Sequence, residues 1–219
     1  MRPQRKRVAR KEVRAGRPRG FDPEKALGRA LQVFWKHGYE GASLTELTEA
    51  MGINRPSMYA AYGNKEQLFR KALDRYASEA AAYVWEGLRE TTARAAVEKI
   101  LFGAAEAVGA AGHPRGCLLV QGALACGEES NAVRRELCSR RAAGETAIRE
   151  RLERAKAEGD LPADAEPAEL ASYVTTVLHG MSVQAVGGAS REKLRSVAER
   201  AMMAWPARNS AGNLGEPGS

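Results

Sequence analysis

In 219 residues the chain has only three cysteines and three histidines, no strand-like apolar–polar alternation, and no glycine-rich loop that could cradle a phosphate. Each lack removes a class of protein. Three cysteines without framework spacing exclude a disulfide-stapled scaffold and agree with a reducing compartment. His37, His113 and His179 have no neighbouring acid and nucleophile, so no catalytic constellation is expected and the chain is not expected to be an enzyme. His113 and Cys117 lack a third nearby ligand, so neither a metal nor another cofactor is expected. Residues 170–190 carry no charge but include Thr175, Thr176, His179, Gly180, Ser182 and Gln184, too polar for a single membrane span. The N-terminus has no apolar signal-peptide run. A cytoplasmic protein without a membrane partner is the expectation.

Positive charge, by contrast, is concentrated. Residues 1–20 hold nine Lys/Arg against one acid, Glu12, a net +8 out of the chain's +7, so the remaining residues are near neutral. An arm so basic and so poor in apolar side chains cannot fold alone, and it suits a polyanion or serves as a solvated tail. Within it, Gly16-Arg17-Pro18-Arg19-Gly20 resembles the core of an AT-hook, whose arginines enter a narrow minor groove.

The periodicity elsewhere predicts helices only, hence an all-α fold. Asp22-Pro23-Glu24 starts one, with Leu27, Ala30, Leu31 and Phe34 on one face and Gly38 as its stop. Ser43-Leu44-Thr45-Glu46 forms a capping box for a second, which Gly52 ends. Asn54 caps a third, with Pro56 in its first turn, and Lys65 opens a fourth. Two short helices around a glycine turn make a helix-turn-helix. The third helix, RPSMYAAY, has few anchors, Met58 and Tyr62, and presents Arg55, Pro56, Ser57, Tyr59 and Ala60 outward. An ordinary helical corner explains the caps but not this polar face, whereas DNA in the major groove would cover it.

Residues 17–69 carry further landmarks: Phe34…Gly38-Tyr39, Leu47…Gly52-Ile53, Met58-Tyr59, and Asn64-Lys65-Glu66…Leu68. In these the segment resembles the N-terminal domain of the TetR/AcrR family of transcriptional regulators. The resemblance implies phosphate contacts from Ser43, Thr45, Tyr59 and Lys65. It implies base-edge contacts from Arg55 and Ser57, and apolar contact to thymine methyls from Pro56 and Ala60. Positions 60 and 61 are both alanine, a departure that makes direct base reading sparse and the arm, through Arg17 and Arg19, correspondingly important.

The expected organisation is a basic arm over 1–20, a helix-turn-helix DNA-binding domain over 21–66, a helical effector-binding and dimerisation domain over 67–206, and a tail over 207–219. Helices are expected near 65–90, 93–111, 115–128, 131–158, 167–187 and 190–205. Leu170, Tyr173, Val174, Val177, Leu178, Met181, Val183 and Val186 point all round their helix, so something must cover every side. By resemblance the cover is a second copy; burial within a monomer is the alternative. A small-molecule pocket would lie among Tyr83, Trp85, Phe102, Leu119, Gln121 and His179. Cys117, with basic neighbours, is either a reactive thiol in that region or an inert structural one. The function these features imply is a homodimeric repressor that binds double-stranded operator DNA and is released by a small-molecule effector. An effector-less architectural DNA-binding protein and a thiol-responsive regulator are the alternatives.

Overall fold

A computed structural model describes residues 20–108, 112–124, 127 and 130–206. The arm with Arg17 and Arg19, the tail, and Cys126 lie outside the described residues. Ten helices and no strand occur among the described residues: α1 Pro23–Gly41, α2 Leu44–Met51, α3 Arg55–Tyr62, α4 Lys65–Ser78, α5 Ala82–Gly87, α6 Ala93–Ala107, α7 Leu118–Leu124, α8 Asn131–Ala157, α9 Pro167–Val186 and α10 Arg191–Met203. None is long and apolar enough to cross a membrane.

The local start signals act as their chemistry requires. The Asp22 carboxylate accepts from the Glu24 and Lys25 amides at 3.0 and 3.2 Å, and Asn54 accepts from Ser57 at 2.9 Å. At Ser43 only half of the expected box forms. Its hydroxyl accepts from the Glu46 amide at 3.1 Å, while the Glu46 carboxylate turns to His37 at 3.0 Å. The reciprocal box is at α4 instead, where Asn64 and Gln67 satisfy each other's amides. Gly38 breaks α1 at a left-handed φ of 71°, and helical geometry resumes for a few residues beyond it.

The expected single helix over 65–90 is two. It ends at Ser78, where the Ala81 amide closes back on the Tyr76 carbonyl, and α5 begins afresh at Ala82. The break lets α5 settle directly on α6. A Cβ on Gly87 would come within 2.5 Å of the Ile100 side chain, and one on Gly103 within 2.6 Å of Tyr83. Two glycines therefore allow a close approach that a straight continuation of α4 could not reach.

Two apolar clusters result. One joins α1 to α4 with Leu118 and Ala123 of α7 and Val133 and Leu137 of α8. The other joins α6, the C-terminal half of α8, α9 and α10. The first cluster thus reaches beyond the helix-turn-helix and ties it to α7 and α8.

Candidate nucleic-acid interface and effector cavity

The outward face of α3 rests on two anchors. Met58 is fully buried, and buried Tyr62 donates its hydroxyl to the Pro23 carbonyl at 2.7 Å, pinning α3 to the start of α1. With those two side chains turned inward, helical spacing leaves Arg55, Pro56, Tyr59 and Ala60 exposed and Ser57 half-buried. Ser43 and Thr45 are exposed at the start of α2. Arg55 donates from Nη2 to the Thr45 hydroxyl at 2.8 Å, so α2 holds the guanidinium at the tip of α3. Ten residues separate the pair, and no sequence signal announces it. Lys65 is half-buried, its ammonium 4.6 Å above the Tyr39 ring. Burial pushes its pKa below the usual lysine value, with Glu40 opposing.

Between α4, α5, α7, α8 and α9 lies a cavity of about 220 Å³. Leu73, Tyr76, Tyr83 and Val84 give it an apolar wall, and Thr175, Leu178 and His179 close it from α9. The buried Tyr76 phenol hydrogen-bonds the Cys117 side chain; burial first, then the Cys117 charge, push its pKa well up. Tyr83 is also raised, mainly by burial. Both phenols therefore stay protonated and remain donors. Next to Cys117, the Gly116 carbonyl accepts from the Trp35 indole at 3.1 Å, and Gln32 meets His113 at 3.3 Å. Helix α1 thus touches the segment that forms one cavity wall.

Comparison with known proteins gives the family. Residues 26–72 match the model of bacterial regulatory proteins of the tetR family, and residues 93–200 match the tetracyclin repressor-like C-terminal domain. The chain belongs to the tetR family. The transcriptional repressor ComR of Escherichia coli K12 is 35% identical over 193 residues, covering 87% of this chain and 92% of the relative. The repressor BdcR of the same strain is 30% identical over 196 residues, 89% and 94% of the two chains. A solved structure of the tetR-family regulator CifR, a cysteine mutant in complex with 26-base-pair operator DNA, is 48% identical with a TM-score of 0.83. That match covers 87% of this chain and all of the other.

Within this tetR-family chain the cavity gathers Tyr83, Trp85, Cys117, Leu119 and His179, and leaves out two expected residues. Phe102 packs on the C-terminal core with the Arg195 guanidinium 5.3 Å over its ring. Gln121 turns to the neighbouring cleft beside Trp35 and Gly116, where its amide donates to the Ser182 carbonyl at 3.4 Å. Lining residues that the sequence did not mark are Tyr76, Arg140, Arg141, Glu145 and Thr175. The two arginines and Glu145 sit on α8, a helix polar almost throughout, so no apolar stripe shows which turn faces inward.

The proposed pairing surface needs correction too. Val174 and Met181 are buried in the chain's own core, and Leu170, Val177 and Leu178 pack against it, Leu178 also lining the cavity. Of the expected residues Tyr173, Val183 and Val186 are exposed, but Val186, thirteen residues on from Tyr173, lies on another side of α9, beside Gly116 and the cleft at Trp35. The helix is apolar all round because one face is core, one is cavity wall and one is open.

Proposed function

We propose that this chain is a cytoplasmic, homodimeric repressor, without a catalytic step, that a small-molecule effector releases from operator DNA. The observation that carries it is the pairing of two sites through one helix. An exposed polar recognition face on α3 is pinned to α1 by Tyr62, and α1 is bonded through Trp35 to the wall of a largely apolar cavity. Arg55 and Ser57 are assigned to base edges, Pro56 and Ala60 to thymine methyls, and Ser43, Thr45, Tyr59 and Lys65 to phosphates. The exposed side of α9 with Tyr173 and Val183 is assigned to the second copy.

An effector that binds better to one dimer shape moves the two recognition helices away from successive major grooves. Selecting operator fragments from random DNA, then screening small molecules by thermal shift, tests this. A compound that raises the melting temperature and weakens operator binding supports the repressor. Stabilising compounds that all leave operator affinity unchanged would favour an architectural protein.

A further inference from the structure

The cavity is apolar where α4 and α5 form it and charged where α8 and α9 do. Besides its phenols and thiol, four lining side chains can carry charge: Arg140, Arg141, Glu145 and His179. Arg140 is already saturated, paired with Asp74 at 2.7 Å and Glu136 at 2.8 Å. Arg141 makes no ion pair among the described residues. Its Nη2 donates to the Cys138 sulfur at 3.3 Å, and its Nε–H is buried with no acceptor. Glu145, one turn along α8, accepts instead from the Thr175 hydroxyl at 3.4 Å.

His179 reports the sign of the field at this end. Burial lowers its pKa most, Arg141 lowers it further, and Glu145 raises it by less. The imidazole is therefore neutral near pH 7, and the guanidinium outweighs the carboxylate there. With Arg140 neutralised by its two carboxylates, Arg141 is the one cation of the lining without an ion partner among the described residues. A guanidinium on the cavity wall without an ion partner favours an anion brought by the ligand.

Size limits the rest of the ligand. A dry apolar cavity of ~150 Å³ holds benzene, and drug-sized ligands use roughly 300–1,000 Å³. At about 220 Å³ this one suits a single ring or a short chain. Deepening the repressor reading on which it rests, we infer that the effector is a small apolar carboxylate, with its hydrocarbon against Tyr83 and Val84 and its carboxylate on Arg141.

Benzoate, benzyl alcohol and benzylamine are close in shape and differ in charge, as do hexanoate, hexan-1-ol and hexylamine. Each is titrated calorimetrically into the full chain, into Arg141→Gln and into Glu145→Gln, with operator affinity measured in parallel. At least one carboxylate should bind tenfold or more tighter than its alcohol. That preference should fall to about twofold in Arg141→Gln and widen in Glu145→Gln, which carries the test alone if Arg141→Gln does not fold. Equal or tighter binding of an alcohol or amine overturns the inference, as does an unchanged preference in the variants or no binding of either carboxylate. Carboxylate binding without operator release leaves the carboxylate site on Arg141 standing and sinks the regulatory reading. Release by the neutral compounds alone does the reverse.

Discussion

Trp35 on α1 and Tyr76 on α4 meet edge to face, their ring centroids 4.9 Å apart and their planes at 85°. Trp35 belongs to the helix-turn-helix, while Tyr76 lines the cavity and bonds Cys117. Because both are buried in one close-packed cluster, neither ring can shift without the other. This contact and the Trp35–Gly116 hydrogen bond join the helix-turn-helix to the cavity wall.

Trp35→Phe keeps an aromatic ring but removes the donor to Gly116, leaving a buried carbonyl unsatisfied. The expected loss of stability is about 1–3 kcal/mol. Effector affinity should change little, while the ratio of operator affinities without and with effector should shrink. Operator titrations in both conditions measure that ratio; an unchanged value would place the coupling elsewhere.

Arg55→Ala should alter which operator sequence is preferred, by about 1–3 kcal/mol at one position per half-site. Tyr59→Phe should weaken all operators alike, because a phosphate contact carries no sequence information. Thr45→Val should combine the two effects in milder form, losing a phosphate contact and releasing the guanidinium it holds at 2.8 Å. Sequence selection returning one motif for wild type and Arg55→Ala would remove Arg55 from base reading.

Pairing of two copies is tested on the open face of α9. Val183→Glu adds charge at a side chain about half exposed, so it should give folded monomers that no longer hold the operator. Met181→Arg instead puts a charge into the chain's own core and should unfold it. Circular dichroism and sedimentation distinguish the two; a Val183→Glu dimer would move the interface off this face.

Stability should fall on acidification through His179. Its folded pKa lies below the ordinary value of about 6.5, so the unfolded chain binds the proton more readily. The contribution is intact above that value and is lost as pH drops from about 6.5 toward the lower folded pKa. His179→Gln should flatten this part of the melting-temperature profile; a profile unaltered between pH 7 and 5 would show that other groups set it.

The basic arm should dominate salt dependence. Each phosphate neutralised contributes about −0.9 to the slope of log affinity against log salt. Deleting residues 1–19, which carry the whole net +8, should flatten the slope by several units and weaken low-salt binding by orders of magnitude. Arg17→Ala with Arg19→Ala should reproduce much of this and reduce any preference for A·T-rich flanks. An intact slope after deletion would make the arm a bystander.

Short-range order determined what the sequence alone could tell. Caps at Asp22, Ser43 and Asn54 and the turn at Gly52 act over three or four residues, so the helix-turn-helix and its outward face could be read directly. The polar excess on α3 was legible for the same reason: eight residues cannot hide a face when Met58 and Tyr62 take the only buried one. What required the tertiary structure depends on pairs far apart in the chain. The break after Ser78 goes with the close seat of α5 on α6 at Gly103. The inward turn of Arg141 on a polar helix is decided by α9 lying opposite. The division of α9 into core, cavity wall and open face reflects which neighbours arrive on each side, a fact that hydrophobicity, having no direction, does not encode. Phe102 and Gln121 illustrate the same limit: both have the right chemistry for a pocket, and packing turned both away from it.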